Sequence, residues 1–355
     1  MTFRVAIVND LAMAREALRR VVLQVPGTEV AWTANDGSEA VACARSDRPD
    51  LVLMDLIMPV MDGVDATRRI MAESPCPIVV VTATVEGNAS RVYEAIGAGA
   101  LDAVDTPRLG SEGTKGDRPL LEKIDAVRRM RAEEGAAPRT ASAATAGRAA
   151  AAVPPAEGPD VTCPIVAVGA STGGPQALAT LLAGLPDPLP FAVVIVQHMD
   201  AGFLPGLARW LGGQSGRTVR LARRGDRPDA GAILVAGEPL QMVMRGDGTL
   251  DYEFGDVDLV HRPSVDSLFA SLALTRARRG AAVLLTGMGR DGAAGMLAMR
   301  EAGWRTFAQD RATSIVWGMP GAAAALGAAE AILPLARLGG AVTEALRPPA
   351  KGTRP

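Results

Sequence analysis

Two blocks of short apolar runs that alternate with amphipathic stretches constrain the fold of this 355-residue chain more than any other feature. Such alternation is typical of βα units, which build a parallel sheet covered by helices. The fold class predicted for both blocks is therefore α/β, doubly wound and mainly parallel. The predicted strands of the first block are Phe3–Val8, Glu29–Thr33, Leu51–Met54, Ile78–Val81 and Leu101–Val104. Those of the second block are Ile165–Val168, Ala192–Val196, Ala232–Val235, Val283–Thr286 and Thr306–Ala308.

The segment between the blocks, from Glu133 to Asp160, is rich in Ala, Pro, Thr, Ser and Gly and cannot build a core. It predicts a flexible linker between two domains, which the chain length also favours. The predicted boundaries are a first domain over 1–125, a linker over 126–160 and a second domain over 161–348. Within the second domain, Gln241–Met244 and Leu250–Phe254 predict a β-hairpin.

Composition excludes several classes of function. The formal net charge of −2 does not support a nucleic-acid or membrane-surface role. Cys43, Cys76 and Cys163 are scattered without the spacing of metal ligands, which favours a reduced, cytoplasmic protein. No apolar run approaches the roughly 20 residues of a membrane span, and the N-terminus lacks the features of a signal peptide. We therefore expect a cytoplasmic protein that is not membrane-inserted and binds no nucleic acid.

Polar residues follow three predicted strands of the first block at their carboxyl ends, where open α/β sheets bind ligands. Asp10 follows the first strand, Asp55 the third and Thr82 the fourth. Two carboxylates held close together suit Mg²⁺, which prefers oxygen ligands. The cation would also neutralise a phosphoryl group carried by one of them. A single aspartate at a strand end is commonly a turn former or a helix cap, but three polar strand ends together favour a functional pocket.

These segments resemble the receiver domain of two-component response regulators, which has a flavodoxin-like fold. The motifs that carry the resemblance, over residues 1 to about 107, are Ile7-Val-Asn-Asp10, Leu53-Met-Asp-Leu-Ile-Met-Pro-Val-Met-Asp-Gly63, Val81-Thr82 and Gly97-Ala-Gly-Ala-Leu-Asp102. The resemblance implies that Asp55 accepts phosphate from a CheA-type histidine kinase. It implies that Asp10, Asp55 and the backbone carbonyl of Ile57 hold Mg²⁺, and that Thr82 contacts the phosphoryl oxygen and senses it.

The first block departs from the receiver pattern at two positions. Asn9 stands where the family usually has a second acidic residue, and Thr106 stands where it has a lysine. The lost ammonium removes a Coulomb partner of the phosphoryl group. We therefore expect phosphorylation of Asp55 with a weaker coupling between phosphate and loop position. The N-terminal half is also similar to the subgroup attached to Wsp-type surface-sensing pathways, through Ile7-Val-Asn-Asp10 and Val104-Asp-Thr-Pro107.

The chemistry of the second block centres on Val166–Gly174, where an apolar run ends in a glycine-flanked serine just before a helical pattern. Such a turn exposes the Ser171 hydroxyl at a strand tip and directs backbone N–H groups toward a ligand there. A lone serine needs a base, and the chain has only two histidines. His198 follows a predicted strand and so lies on the same sheet edge as Ser171, which suits a general base. Asp291, between another strand and a helix, is the candidate acid that orients the imidazole.

Simpler interpretations exist for each of these residues. A glycine-rich turn also cradles phosphates, a histidine is commonly structural, and Asp291 could cap the following helix. A Gly-x-Gly-x-x-Gly dinucleotide fingerprint fails because Ser171 occupies its second glycine position. The order Ser171, His198, Asp291 differs from that of α/β-hydrolases, in which the acid precedes the histidine. His261, in a proline-containing loop, is a weaker rival base and fits a residue of the cleft rim or a packing histidine.

Together these segments resemble the catalytic domain of the chemotaxis protein-glutamate methylesterase family, CheB, over about 161–346. The motifs that carry this resemblance are Gly169-Ala-Ser-Thr-Gly-Gly174, Gln197-His198-Met199, Pro263-Ser-Val-Asp266, Thr286-Gly-Met-Gly289 with Asp291-Gly292, and Gln309-Asp-Arg-Ala-Thr-Ser314 with Gly318-Met-Pro320. The resemblance implies that Ser171, His198 and Asp291 hydrolyse glutamyl methyl esters on methylated chemoreceptor-type proteins. Glutamine deamidation would follow the same route, without a cofactor. Backbone N–H groups of Thr172 and Met288 are the candidate oxyanion hole.

The resemblance also implies control, in which the unphosphorylated receiver covers the active-site cleft and phosphate on Asp55 relieves the block. Two other functions stay open at this point. One is a non-catalytic response regulator that acts by binding; a DNA-binding form is disfavoured because no basic stretch or helix-turn-helix pattern follows the linker. The other is phosphate or nucleotide binding at Gly169–Gly174, with an affinity that would not depend on His198.

Overall fold

Strands and helices alternate along the chain in the computed structural model, which describes residues 2–82, 85–107, 117–134, 163–255, 261–275 and 279–347. The chain divides into two compact units, Met1–Thr140 and Ala141–Pro355. Within the described ranges, every helix is too short or too polar to traverse a membrane.

The first unit is built on a five-stranded parallel sheet in the order β2-β1-β3-β4-β5, the flavodoxin-like order. Its central strands are apolar throughout, since helices cover both faces of such a sheet. The strands are β1 (Phe3–Val8), β2 (Thr28–Ala34), β3 (Leu51–Met54), β4 (Ile78–Thr82) and β5 (Asp102–Asp105). The helices are α1 (Ala12–Gln24), α2 (Gly37–Ser46), α3 (Gly63–Glu73), α4 (Val85–Gly97) and α5 (Arg118–Glu134).

The loop after β3 folds back closely beside Asp55. Asp62 caps α3 by accepting a hydrogen bond from the Asp65 N–H at 2.9 Å. The Gly63 N–H donates to the Leu56 carbonyl at 3.1 Å. A Cβ on Gly63 would collide with the Asp55 carbonyl, so glycine is what allows the helix to begin this close to the end of β3.

The second unit is built on a seven-stranded parallel sheet in the order β14-β13-β12-β6-β7-β9-β8. Its strands are β6 (Ile165–Ala170), β7 (Ala192–Gln197), β8 (Val219–Leu221), β9 (Ile233–Val235), β12 (Ala281–Leu284), β13 (Arg305–Gln309) and β14 (Ala331–Leu333). Two further strands, β10 (Gln241–Met244) and β11 (Leu250–Glu253), lie between β9 and β12 in the chain. The helices are α6 (Gly174–Ala183), α7 (Leu204–Ser215), α8 (Val265–Leu274), α9 (Ala293–Glu301), α10 (Met319–Ala325) and α11 (Leu335–Ala345).

The hairpin of β10 and β11 is a separate two-stranded antiparallel sheet. Its apolar side chains Met242, Met244 and Leu250 belong to the same buried core as Leu268 and Phe269 of α8. The hairpin is therefore tied to the helix whose first residues contact Asp291, as described below.

The predicted α/β class is confirmed in both units, with differences in detail. The expected strand Val283–Thr286 is displaced, because β12 spans Ala281–Leu284. Beyond it, the Thr286 N–H donates to the Gln309 side chain at 2.8 Å instead of continuing the ladder. The edge strands β8 and β14 and the helices α7 and α11 were not expected from the sequence.

The predicted boundary between the first domain and the linker differs from the structure. Helix α5 continues through residue 125, so the linker expected over 126–160 overlaps the second half of that helix. The remainder of that linker, 135–160, lies outside the described residues, as do 161–162 and 348 at the ends of the predicted second domain.

Candidate active site

Ser171 follows the last residue of β6 in a turn that several hydrogen bonds fix. Its N–H donates to the Thr286 carbonyl at 3.0 Å, and its carbonyl accepts from the Gly174 N–H at 2.7 Å. The same carbonyl accepts from the side chain of Gln197, which is fully buried, at 2.8 Å. Gly173, with φ of 75°, makes the sharp entry into α6. The serine is thus held rigidly at the strand tip, where it is 6% exposed.

His198 occupies the matching position on the neighbouring strand. The register of β6 and β7 pairs Ala170 with Gln197, and Ser171 and His198 are the next residues of the two strands. The His198 N–H donates to the Ala170 carbonyl at 2.9 Å, so the ladder continues up to the histidine. Adjacent strands lie about 4.8 Å apart, which brings the serine and the histidine side by side at one sheet edge.

Asp291 contacts one ring nitrogen of the imidazole. The His198 Nε2 and the Asp291 Oδ2 lie 2.7 Å apart, and both side chains are largely buried. An ionised carboxylate only accepts hydrogen bonds, so this contact assigns the proton of the neutral ring to Nε2. The other ring nitrogen, Nδ1, is buried and has no hydrogen-bond partner within the described part of the chain. Its lone pair is therefore the available basic site of this imidazole.

Three groups at the start of α8 complete the surroundings of the Asp291 carboxylate. Oδ1 accepts from the Ser264 hydroxyl at 2.7 Å and from the Asp266 N–H at 3.0 Å, and Oδ2 accepts from the Val265 N–H at 2.7 Å. These N–H groups have no partner inside the helix, and the helix dipole favours an anion beside them. The sequence alone did not predict this cradle, although Ser264 followed by a helical pattern carried the signal of an N-cap.

The surroundings shift the pKa values of Asp291 and Asp266 in opposite directions. Burial acts to raise the pKa of Asp291, but the hydrogen bond and charge of His198, with the Asp266 N–H and Ser264 hydroxyl, outweigh it and hold the pKa well below its usual range. For Asp266, burial and the neighbouring Asp291 charge raise the pKa to about 6, against the opposing hydrogen bond from Gly295. Asp291 is consequently the permanent anion of the site.

The backbone of the loop after β12 passes directly against the serine. A Cβ on Gly287 would come within 2.7 Å of the Ser171 Cβ. The Gly287 carbonyl accepts from the N–H groups of Gly318 at 3.1 Å and Met319 at 2.8 Å. In a trans peptide the C=O and the following N–H point in opposite directions, so the Met288 N–H points away from α10. The expected donor Met288 thus belongs to a peptide unit anchored next to Ser171.

The second histidine lies on the first. The rings of His198 and His261 are stacked, with centroids 4.1 Å apart and planes inclined by 13°. His261 is therefore a packing partner of the candidate base itself, a position that the sequence did not reveal.

The strand-end residues of the first unit also come together. Val8 and Met54 are paired in the register of β1 and β3, so the residues that follow them emerge side by side. The Asn9 amide donates to the Asp55 Oδ2 at 2.8 Å. Burial raises the pKa of Asp55 to about 6, and the nearby charge of Asp10 contributes to this shift.

The oxygen donors of this pocket fit a hard divalent cation. The half-buried Asp55 carboxylate lies close enough to Asp10 for the two charges to interact unfavourably, and a cation between them would relieve that repulsion. No cluster of three or more His, Cys, Asp or Glu side chains suited to a metal occurs in the described ranges, so a site here depends on backbone and water oxygens as well.

Thr82 and Thr106 flank the pocket on the next strands. Thr82 ends β4 and is buried, and its carbonyl accepts from the Thr106 N–H at 3.1 Å. Lys123, the one lysine of this unit among the described residues, forms an ion pair with the buried Asp102, the first residue of β5. The departure at Thr106 is therefore not compensated by Lys123.

Comparisons with known proteins agree with both halves of this description. A family model described as CheB methylesterase matches residues 166–342, and one described as response regulator receiver domain matches residues 5–108. A protein-glutamate methylesterase/protein-glutamine glutaminase of Cupriavidus metallidurans is 51% identical over 337 residues, which cover 94% of this chain and 96% of that protein. A protein of the same description from Burkholderia lata is 50% identical over 339 residues, or 95% and 97% of the two chains. The solved CheB methylesterase catalytic domain of Thermotoga maritima is 31% identical, with a TM-score of 0.48, and covers 52% of this chain and 98% of that one.

Proposed function

This chain belongs to the CheB methylesterase family, and from that premise we propose that it uses Ser171 as nucleophile, His198 as general base and Asp291 as the orienting acid. It is a phosphorylation-regulated hydrolase that removes methyl groups from glutamyl methyl esters of chemoreceptor-type proteins. As in the names of its relatives, the activity extends to the deamidation of glutamine.

In the first step the Ser171 Oγ attacks the γ-carbonyl carbon of the glutamyl methyl ester. The serine proton passes to the His198 Nδ1, the ring nitrogen that Asp291 leaves available. The new C–O bond forms as the carbonyl π electrons move to oxygen, giving a tetrahedral oxyanion. Asp291 stabilises the imidazolium, and its own low pKa keeps it ionised while it does so.

The oxyanion is stabilised by the backbone N–H groups of Thr172 and Met288 in this proposal. The anchored carbonyl of Gly287 supports the Met288 assignment, because it fixes the peptide plane. Thr172 lies at the N-terminal end of α6, whose dipole favours negative charge. Such a donor contributes about 3 kcal/mol to transition-state stabilisation in a well-studied protease.

Collapse of this intermediate breaks the bond to the methoxy oxygen, which takes the proton from His198 and leaves as methanol. Water then attacks the acyl-enzyme with His198 as base again, and glutamate is released as the proton returns to Ser171. With a glutamine substrate the leaving group is ammonia. In this mechanism the hydrolysis requires no cofactor.

Control is proposed to act through the first unit. Asp55 is the phosphoacceptor, Asp10, Asp55 and the Ile57 carbonyl hold Mg²⁺, and Thr82 senses the phosphoryl group. The ion, when bound, supplies positive charge that offsets the phosphoryl oxygens. The burial of Asp55 and its contact with Asn9 support this assignment. The phosphodonor is a histidine kinase, here proposed to be of the CheA type, and the protein is proposed to act in the cytoplasm.

The domain arrangement proposed for this function is a receiver that extends to the end of α5, a linker within 135–160 and a catalytic domain over 161–348. The similarity to the Wsp-type subgroup at Asn9 and Thr106 supports a role in surface sensing as one variant of this function.

One observation carries the proposal: a single imidazole has Asp291 on one nitrogen and Ser171 on the adjacent strand end. We expect purified protein to release methanol from methylated chemoreceptor and Ser171→Ala to lose this release, because no other oxygen nucleophile is proposed. Methanol is measured directly, in the presence of a small phosphodonor and Mg²⁺. Ser215→Ala, at the far end of α7, is the matched control and keeps the full rate. Methanol release that survives in Ser171→Ala would reject the assignment.

A further inference from the structure

The stack of two histidines has no role in the mechanism given above. Both partners are defined by the structure: His198 is 8% exposed and held by Asp291, and the His261 ring lies flat against its ring at 4.1 Å. Nearly parallel rings are compatible with the offset stack that aromatic pairs favour. The loop that carries His261 brings its ring to this position.

That loop is anchored by Gln241 of the hairpin, which is fully buried. The Gln241 Nε2 donates to the His261 carbonyl at 2.8 Å, and its Oε1 accepts from the Ser264 N–H at 2.6 Å. One amide side chain thus holds both ends of the turn. A Cβ on Gly255 would collide with the stem of Gln241 at 2.5 Å, so this amide is itself closely packed.

The same short segment contacts two members of the triad. His261 covers the face of the His198 ring, while Ser264 donates to Asp291 at 2.7 Å. The ring plane of the base and the carboxylate that orients it are consequently fixed by one piece of backbone.

We propose that His261 is a positioning residue: its ring fixes the plane of the His198 imidazole and offers a π face to the imidazolium that forms during acyl transfer. A cation is attracted to the face of an aromatic ring, and more strongly in a site with little water. The π face stabilises the transition state and intermediate more than the neutral resting base, so it acts on the chemical step. This inference depends on the proposed function of Ser171 and His198.

Two substitutions distinguish an effect of the aromatic π face of His261 from an effect of its side-chain volume. His261→Phe keeps a flat aromatic ring without a titratable nitrogen, and His261→Leu fills a similar space without a π system. We expect His261→Phe to keep kcat within about threefold of the parent, and His261→Leu and His261→Ala to lose on the order of tenfold. KM is expected to stay within about twofold, because the ring acts on the base and not on the bound ester.

The experiment uses the full-length chain with methylated chemoreceptor, a small phosphodonor and Mg²⁺, and rates are divided by the folded fraction from tryptophan fluorescence. A full kcat in His261→Leu or His261→Ala would overturn the proposal, and so would an equal loss in His261→Phe and His261→Leu. An effect confined to KM would overturn it as well. Ser171→Ala in the same assay tests the proposed function separately: if that variant stays active, the mechanism itself fails, whereas normal His261 variants beside an inactive Ser171→Ala refute the stacking role alone.

Discussion

Asp291 shows how strongly a single residue of this site depends on its surroundings. Isolated in a buried position, its carboxyl group would gain a proton, and it would then donate to His198 instead of orienting it. Four contacts, from His198, Ser264 and the N–H groups of Val265 and Asp266, reverse that preference. Its neighbour Asp266 lacks such support, and burial leaves its pKa at about 6. The two aspartates show that position, and not residue type, decides which carboxylate can serve the base.

Asp266 should make the stability of the second unit depend on pH. Its pKa is raised from 3.8 to about 6 in the folded protein. Between these values the folded state binds more protons than the unfolded state, so the free energy of unfolding falls as pH rises through this window. Asp266→Asn keeps an oxygen for the Gly295 N–H and removes the charge. We expect it to gain on the order of 2 kcal/mol at pH 8 and little at pH 4.

Thermal unfolding at the two pH values, followed by tryptophan fluorescence, measures this effect. Three of the four tryptophans, Trp210, Trp304 and Trp317, lie in the second unit, so the signal reports mainly on that unit. Asp229→Asn, an exposed aspartate of the same unit, is the matched control. Parallel pH dependence in the parent and Asp266→Asn would contradict the expected proton uptake.

Among the elements, the central strands could be predicted because their apolar runs are long and uninterrupted. β1, β3 and β6 were expected from such runs, and a parallel sheet then places their carboxyl ends on one edge. The meeting of Ser171 and His198 therefore follows from sequence pattern and topology alone. The edge strands β8 and β14 have only three residues each and are half-buried. They are therefore too short to show an alternating pattern of apolar and polar residues.

The parts of the site that the sequence did not predict are those formed by contacts distant in the chain. The cradle at the start of α8 requires Asp291 to meet residues some 26 positions earlier. The stack of His261 on His198 requires a loop to be held by the hairpin. Such contacts depend on how helices and hairpins pack against each other. Neither the periodicity of apolar residues nor the secondary-structure propensity of a short segment predicts that packing.

The loop between β12 and α9 offers a test at the scale of an element. Gly287→Ala would place a Cβ 2.7 Å from the Ser171 Cβ and against the Met319 sulfur. The loop must then move, which costs about 1–3 kcal/mol of stability and shifts the Met288 N–H. We expect methanol release to fall at least tenfold, measured together with the melting temperature.

Gly340→Ala is the matched control for this substitution. Gly340 lies in α11, and apart from its chain neighbours and the helix's own nearby backbone, no described atom comes within 4 Å of where an added methyl group would sit. Alanine there should raise helix stability by about 0.5–1 kcal/mol without altering activity. A Gly287→Ala variant with unchanged activity would contradict the assignment of this loop to the oxyanion hole.

At the scale of the whole molecule, the two compact units carry complementary chemistry on one chain. The first holds the half-buried Asp55 carboxylate with its raised pKa, and the second holds the proposed triad of Ser171, His198 and Asp291. The absence of a lysine at Thr106 removes one charge that would report the phosphate to the rest of the receiver. The response to phosphorylation is therefore expected to rely on Thr82 and on the loop that follows Asp55.

A phosphodonor with Mg²⁺ should raise the rate of methanol release by the full-length chain. Asp55→Ala removes the acceptor oxygen and is expected to abolish this stimulation while leaving the basal rate in place. Glu29→Ala, an exposed residue near the start of β2 at the opposite end of the sheet, is the control for loss of a carboxylate. Stimulation of Asp55→Ala to the same extent as the parent would refute control through this residue.

The pairing of Ala170 with Gln197 has one more consequence. Because Ser171 and His198 directly follow this pair on neighbouring strands, sliding one strand by a single residue would displace them relative to each other by about 3.3 Å. Strands β6 and β7 are each paired on both sides within the seven-stranded sheet, so we expect this spacing to stay fixed. We therefore expect a regulatory signal to act on how polypeptides reach this edge of the sheet and not on the spacing of these two side chains.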